Sequence, residues 1–312
     1  MKTINNGAYV TMITPYDDNG NVDYGAVYAL AEWYCYNNVD GIFASCQSSE
    51  IWRLGLSDRI KITETTVRAV ENYYAKTGRK VSVVASGHVS WSEEEQVADL
   101  CGQLDAGADA AVLISNRFDY ANTGDEKWIE DVDSLLKKMP ADAKLGIYEC
   151  PFPYKRLLSE KMLKYLGESG KFVFIKDTCC DADLIKKRLE ILDGTGVGLF
   201  NANGQTLLAS LRDGAAGYGG VMANFHPRLY AWLCANPNHE RADEVAGFMN
   251  TAAFTEALAY PVTAKYHLSH NENIAMSLYT RNPGVNIKGY DKLCIDSMND
   301  MARALEKSLG IR

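Results

Sequence analysis

The chain has 312 residues, 47% of them hydrophobic and 23% charged, with a formal net charge of −8 and a pI near 5.2. Such a chain can bury a large core, as a soluble enzyme does, while its acidic balance argues against a nucleic-acid partner, which needs a basic face. No uninterrupted apolar run approaches the ~18 residues of a membrane-spanning helix. Met1 to Asn6 carry no apolar stretch of the secretory type, so a cytoplasmic protein is expected. The eight cysteines are scattered without CxxC or Cys/His spacing, so they read as reduced thiols and no metal site is expected.

Taken in chain order, eight short apolar runs alternate with amphipathic stretches. The runs are Gly7 to Ile13, Gly41 to Ser45, Val81 to Ser86, Ala110 to Ile114, Leu145 to Tyr148, Phe172 to Lys176, Gly198 to Asn201 and Gly217 to Val221. They are rich in β-branched or small residues and bounded by Gly, Pro, Asp or Asn, which is strand punctuation. Tyr24 to Tyr36, Ser57 to Lys76 and Ser92 to Ala106 read as helices. In the third of these, Val97, Leu100, Cys101 and Leu104 form the stripe of a helix facing a core. Ser57-Asp58 and Ser90-Trp91-Ser92-Glu93 supply caps and early acidic residues, and Gly78 and Gly107 fall where helices should stop. Alternating strands and helices imply parallel pairing, and eight such units in about 225 residues favour a closed (β/α)8 barrel. Beyond it, Pro227 to Ala235, Glu240 to Leu258, Pro261 to His267 and Tyr290 to Leu309 read as helix only. The expected division is a barrel over residues 1–224 and a helical region over 225–312.

In such a barrel, chemistry sits at the C-terminal ends of the strands. Lys176 ends the sixth run, where burial disfavours the ammonium and leaves an amine able to attack a ketone. Strict alternation would put Phe172, Phe174 and Lys176 on one face. A rim lysine paired with Asp177 or another carboxylate is the plainer alternative. Tyr148 ends the fifth run, where a phenol could relay protons to an amine on the neighbouring strand. Gln47 and Ser48, in the turn after the second run, suit a substrate carboxylate. Phe118 after the fourth run, Asn203 after the seventh and Gly219 in the glycine-rich eighth are further substrate-contact candidates, and His88 after the third is a possible base. Neither GxGxxG nor a Walker motif is present.

Taken together, these strand-end residues resemble the dihydrodipicolinate synthase / N-acetylneuraminate lyase family. The matches run through Thr14-Pro15-Tyr16, Asn21-Val22-Asp23, Asp40-Gly41-Ile42-Phe43 leading to Glu50, and Gly107-Ala108-Asp109-Ala110. They continue through Ile147-Tyr148 with Pro151, Ile175-Lys176-Asp177 and Gly214-Ala215-Ala216-Gly217. The resemblance covers roughly residues 5 to 235. It implies a class I aldolase or lyase with a Schiff base at Lys176, Tyr148 as proton relay, and no cofactor beyond that covalent imine. It also implies pyruvate as the covalently held part, an aldehyde partner and a homo-oligomer, commonly a tetramer, otherwise a dimer.

Several positions depart from the family pattern. The loop that resembles Gly-x-x-Gly-Glu reads Cys46-Gln47-Ser48-Ser49-Glu50, with Gln47 replacing the first of two hydroxyl residues. Phe118 stands where dihydrodipicolinate synthases carry a tyrosine that crosses a dimer interface, with Tyr120 close by. Pro153 replaces their carboxylate-binding arginine, although Arg156 lies near. These changes argue against lysine biosynthesis. The segment Asn201 to Gln205 lacks the acidic pair of sialate lyases. The expected function is therefore cleavage or formation of a 2-oxo acid, of the N-acetylneuraminate lyase or 2-keto-3-deoxy sugar acid aldolase type. Dehydration of a sugar-derived 2-oxo acid by the same imine, dihydrodipicolinate synthesis, and a catalytically silent 2-oxo-acid-binding relative are the alternatives.

Overall fold

A computed structural model describes residues 4–311. Its first half alternates β1 (Gly7–Thr11), α1 (Tyr24–Tyr36), β2 (Gly41–Phe43), α2 (Leu56–Thr77), β3 (Ser82–Ala85), α3 (Glu93–Asp105), β4 (Ala110–Ile114) and α4 (Asp125–Lys138). The second half continues with β5 (Leu145–Tyr148), α5 (Glu160–Glu168), β6 (Phe172–Asp177), α6 (Ala182–Leu192), β7 (Gly198–Asn201), α7 (Gly204–Arg212) and β8 (Gly217–Gly220). Every neighbouring pair is parallel, and β8 returns to β1, so the sheet is a closed (β/α)8 barrel as the alternation implies. At that closing seam Gly7 pairs with Gly217. A Cβ on Gly217 would fall 1.9 Å from the Gly7 carbonyl oxygen, so only glycine closes the ring there.

α8 (Pro227–Ala235) packs against β1 and β8, and α9 (Ala242–Ala252), α10 (Val262–His270) and α11 (Gly289–Ser308) follow it. Residues 271–288 form a strap without regular structure between α10 and α11. The stretch from Glu240 to Leu258 is not one helix: α9 ends at Ala252 and a 3-10 turn, Ala253–Ala257, follows.

Aromatic side chains fill the barrel interior. Tyr9, Phe43, Phe174 and Phe200 are buried together, with ring centroids 4.6 Å apart for Tyr9–Phe200 and 4.7 Å for Phe174–Phe200. Truncating one of them to alanine would cost about 3–5 kcal/mol. Strict alternation fails in β6. A register shift opposite Leu145 and Gly146 sends Phe172 into the outer layer with Ile175, while Phe174 and Lys176 face inward. A bulge of this kind breaks the two-residue period and turns the strand. The start of α2 also differs from expectation: Gly55, not Ser57, is its N-cap. Ser92 does cap α3, and Gly78 (φ +71) and Gly107 (φ +94) end their helices in the left-handed conformation.

Candidate active site

β5 and β6 pair so that Tyr148 lies directly beside Lys176 at the C-terminal rim. Lys176 is only 5% exposed. Its Nζ sits 4.4 Å from the centre of the Tyr148 ring and 5.9 Å from that of Phe43, and it makes no hydrogen bond or ion pair with any described residue. The ring faces favour the ammonium, but burial outweighs them and lowers the Lys176 pKa below its ordinary value. The plainer alternative, a rim pairing with Asp177 or another carboxylate, is not what the described residues form: Asp177 turns away to Arg188 of α6.

That turn is part of what holds the pair in place. Arg188 bridges Asp177 and, at 2.9 Å, Glu149, the residues that follow Lys176 and Tyr148. Glu149 also accepts from the Thr178 and Leu158 amides at 2.9 and 2.7 Å. All three charged groups are almost fully buried, and burial raises the Glu149 pKa while Arg188 opposes it. Losing Arg188 would leave two carboxylates uncompensated beneath the site.

Gln47 is presented by a short anchored turn. The Ser49 hydroxyl lies 2.6 Å from the Met12 carbonyl and 2.8 Å from that of Ala44, and Thr14 Oγ1 donates to the Ser49 carbonyl at 2.7 Å. With the turn fixed, Gln47 Oε1 accepts from Tyr148 Oη at 3.1 Å and from Cys150 Sγ at 3.4 Å. Burial pushes the Tyr148 phenol well above its ordinary pKa and the Cys150 thiol up to about 11, so both remain protonated at neutral pH. Ser48 Oγ donates to Thr11 Oγ1 at 3.0 Å.

These groups face a cavity of about 420 Å³. Lys176, Tyr148, Gln47 and Ser48 all line it. Gly219 stands behind the lysine, since a Cβ there would lie 3.8 Å from Lys176 Cγ; its neighbours Gly220 and Val221 form the wall. Asn203 lies in an adjoining cavity and caps α7 through its Oδ1. Phe118 does not reach either cavity: it is buried against Trp128 and His88. His88 is itself buried, with Nδ1 accepting from the Ile114 amide and Nε2 on Gln96 Oε1, and burial lowers its pKa to about 3. A neutral imidazole with both nitrogens engaged is a structural group, not a base.

Four lining residues come from the C-terminal region: Glu256, Tyr260, Pro261 and Asn282. Glu256 is accessible from the cavity, yet the walls around it raise its carboxyl to about 7, with Lys176 acting in the opposite sense. Helical periodicity in that region gives no hint that a turn returns to the barrel mouth; only Tyr260-Pro261, as a helix breaker, marks the place. Among the described residues, no group of three or more His, Cys, Asp or Glu side chains is placed to hold a metal, and no helix is long and apolar enough to cross a membrane.

A barrel with an inward lysine and a neighbouring tyrosine at its catalytic rim has the layout of a class I aldolase, a carbon–carbon lyase. The chain belongs to the dihydrodipicolinate synthetase family, whose model matches residues 5–282. It is similar to the 4-hydroxy-tetrahydrodipicolinate synthase of Coxiella burnetii (strain Dugway 5J108-111), with 24% identity over 73% of this chain and 74% of that protein. It is also 24% identical to that of Pseudomonas putida (strain W619), over 84% and 87% of the two chains. The fold is shared with the chloride-inhibited dihydrodipicolinate synthase from Acinetobacter baumannii complexed with pyruvate, at a TM-score of 0.83 and 20% identity over 96% and 99% of the chains. A Bacillus anthracis dihydrodipicolinate synthase gives 0.82 and 17% over 95% and 98%.

Proposed function

We propose that this protein is a Schiff-base lyase or aldolase that cleaves or forms a 2-oxo acid, with pyruvate as the part held on Lys176. The observation that carries the reading is a buried, unpaired lysine amine opening on a cavity beside a protonated tyrosine. Burial raises the fraction of free amine, which adds to the ketone carbon of the substrate. The carbinolamine hydroxyl leaves as water, helped by the Tyr148 proton, and an iminium remains. In a 4-hydroxy-2-oxo acid, the iminium draws in the electrons of the C3–C4 bond as the C4 hydroxyl loses its proton. An aldehyde departs and an enamine is left. Protonation at C3 and hydrolysis then release pyruvate and restore the amine. Condensation is the reverse.

Gln47 and Ser48 are the proposed carboxylate contacts, through the Gln47 amide N–H and the hydroxyl and backbone of the turn. Gln47 has a second effect. Its carbonyl oxygen accepts the Tyr148 hydrogen bond but has no proton to pass on, so the phenol exchanges protons with substrate and not with a longer hydroxyl chain.

Dihydrodipicolinate synthesis, the activity named for the relatives, is the second reading. One observation weighs against it. Arg156, the arginine nearest Pro153, spends its guanidinium on the Phe118 and Asp119 carbonyls and the Asp119 carboxylate, so it is not available to a substrate. A cytoplasmic homo-oligomer, tetramer or dimer, completes the proposal. In its support, Trp91 is 76% exposed beside the half-exposed Tyr120, with the Arg117 guanidinium 4.6 and 5.2 Å from the two rings. The direct test is turnover of a panel of 4-hydroxy-2-oxo acids with Lys176→Ala as control. Pyruvate release by the wild type alone supports cleavage, a dehydrated product with an intact carbon chain indicates a dehydratase, and full activity in the variant removes the imine.

A further inference from the structure

Glu256 is a carboxylate without a structural task. It lies in the turn Ala253–Ala257, which is held by other groups: Thr255 Oγ1 donates to the Ala252 carbonyl at 2.7 Å and the Leu258 amide to Thr255 O at 2.9 Å. The Glu256 side chain has no hydrogen bond or ion pair with any described residue. Its carboxylate is open to the water of the cavity, so a substrate that displaces this water must supply a hydrogen bond in its place.

Its position is informative. The cavity that holds Lys176 adjoins a second one of about 340 Å³, and Glu256 lines both, together with Pro151, Thr178 and Ala202. Beyond Glu256 the second cavity presents Lys155, Asn203 and Gln205. Lys155 uses one ammonium hydrogen on the Thr178 carbonyl at 2.8 Å, so two remain. Asn203 Nδ2 uses one hydrogen on Gln205 Oε1 at 2.7 Å, so one remains, and Gln205 Oε1 keeps acceptor capacity. One anion, one cation and two amides line the same space.

That lining selects among substrate tails. An apolar tail would leave Glu256 desolvated and unpaired, which is costly. An anionic tail is repelled by Glu256, and a cationic one by Lys155. A hydroxyl donates to the carboxylate while accepting from the ammonium or the amide, and several hydroxyls in series use the whole set.

Building on the Lys176 imine, we propose that Glu256 is a specificity-determining residue: it accepts a hydrogen bond from a hydroxyl on the distal half of the substrate, whose polyhydroxylated tail runs from Lys176 past Glu256 into the second cavity. The acceptor in the condensation direction is then a hydroxylated aldehyde, not an apolar or acidic one.

The experiment compares wild type, Glu256→Ala and Glu256→Gln on two series of 4-hydroxy-2-oxo acids, one with hydroxylated and one with deoxygenated tails of equal length. Borohydride trapping of the pyruvate adduct is run on all three proteins. Glu256→Ala is expected to lose about 10- to 100-fold in kcat/KM on the hydroxylated series, the range for a hydrogen bond to a charged group, and to lose little on the deoxygenated one. Glu256→Gln, which keeps an acceptor, should recover part of that loss, and adduct formation should persist in both variants. Equal losses on the two series, no loss on either, or a wild-type preference for deoxygenated or acidic tails would overturn the assignment of Glu256 while leaving the imine intact. Absence of any adduct in the wild type would overturn the imine, and this proposal with it.

Discussion

Two lysines are buried among the described residues, and they sit in opposite circumstances. Lys265 of α10 is 0% exposed; its ammonium donates to the Tyr279 carbonyl, lies 3.7 Å from Glu50 Oε1 and rests 4.5 Å from the centre of the Tyr16 ring. Lys176 is buried almost as completely but has no such partner and opens on a cavity. Burial depresses both amines, that of Lys265 to about 8. On the proposed reading of Lys176 as the nucleophile, what separates it from a fastening is not the depressed pKa but whether the donors are already spoken for.

The fastening has a definite object. Glu50 accepts from Thr280 Oγ1 at 2.9 Å and from the Arg281 amide at 2.7 Å, so the pair with Lys265 ties the strap 271–288 to the turn that carries Gln47. The strap in turn contributes Asn282 to the cavity wall. Glu50 itself sits at φ +59, a left-handed conformation that its interactions sustain.

Substitutions at the two lysines should separate cleanly. Lys176→Ala should reduce turnover by more than about 10³-fold, as removal of a covalent nucleophile does, with little loss of stability; steady-state kinetics beside thermal melting checks both. Lys265→Met should do the reverse. It leaves Glu50 buried without its cation, a loss of about 3–5 kcal/mol readable in urea unfolding, while the folded fraction still forms an imine. A stable Lys265→Met protein unable to form the imine would exchange the roles of the two residues.

Tyr148→Phe keeps the ring beneath the amine and removes only the phenol. It should lower kcat by about 10²-fold or more, the usual worth of a positioned proton donor, with adduct formation slowed but not abolished. An unchanged kcat would dismiss the phenol as relay.

The pH dependences are the subtlest contrast. Because burial lowers the Lys176 pKa, the rate of imine trapping should rise with pH and reach half its maximum below the ordinary 10.5 of lysine. A midpoint at or above that value would mean that the amine is not desolvated. For Lys265 the unfolded chain binds the extra proton between about 8 and 10.5, so its contribution to stability rises with pH across that window and is flat below it. The difference between wild type and Lys265→Met should carry that slope; a difference flat over the window would contradict the shift.

Much of this was legible in the residues. The eight runs and their punctuation specify the barrel, and Lys176 and Tyr148 are recognisable because they end adjacent strands, whose pairing brings them side by side. Strand-end reading also finds Gln47 and Ser48. It fails where tertiary packing decides. The bulge that turns Phe172 outward depends on pairing with β5, not on the local pattern. Phe118 follows a strand end but is drawn into the outer layer by Trp128. Lys265 looks like any helical lysine until α10 is seen to press it against Glu50. Glu256 and Asn282 lie beyond the barrel, on segments whose return to its mouth no periodicity encodes.

The central claim, that the unpartnered lysine is the nucleophile, is tested most directly by incubating the protein with pyruvate and borohydride, then measuring intact mass and mapping the modified peptide. A single reduced adduct on Lys176, absent from Lys176→Ala and retained in Lys265→Met, is expected. An adduct on Lys265, or one that persists in Lys176→Ala, would contradict it.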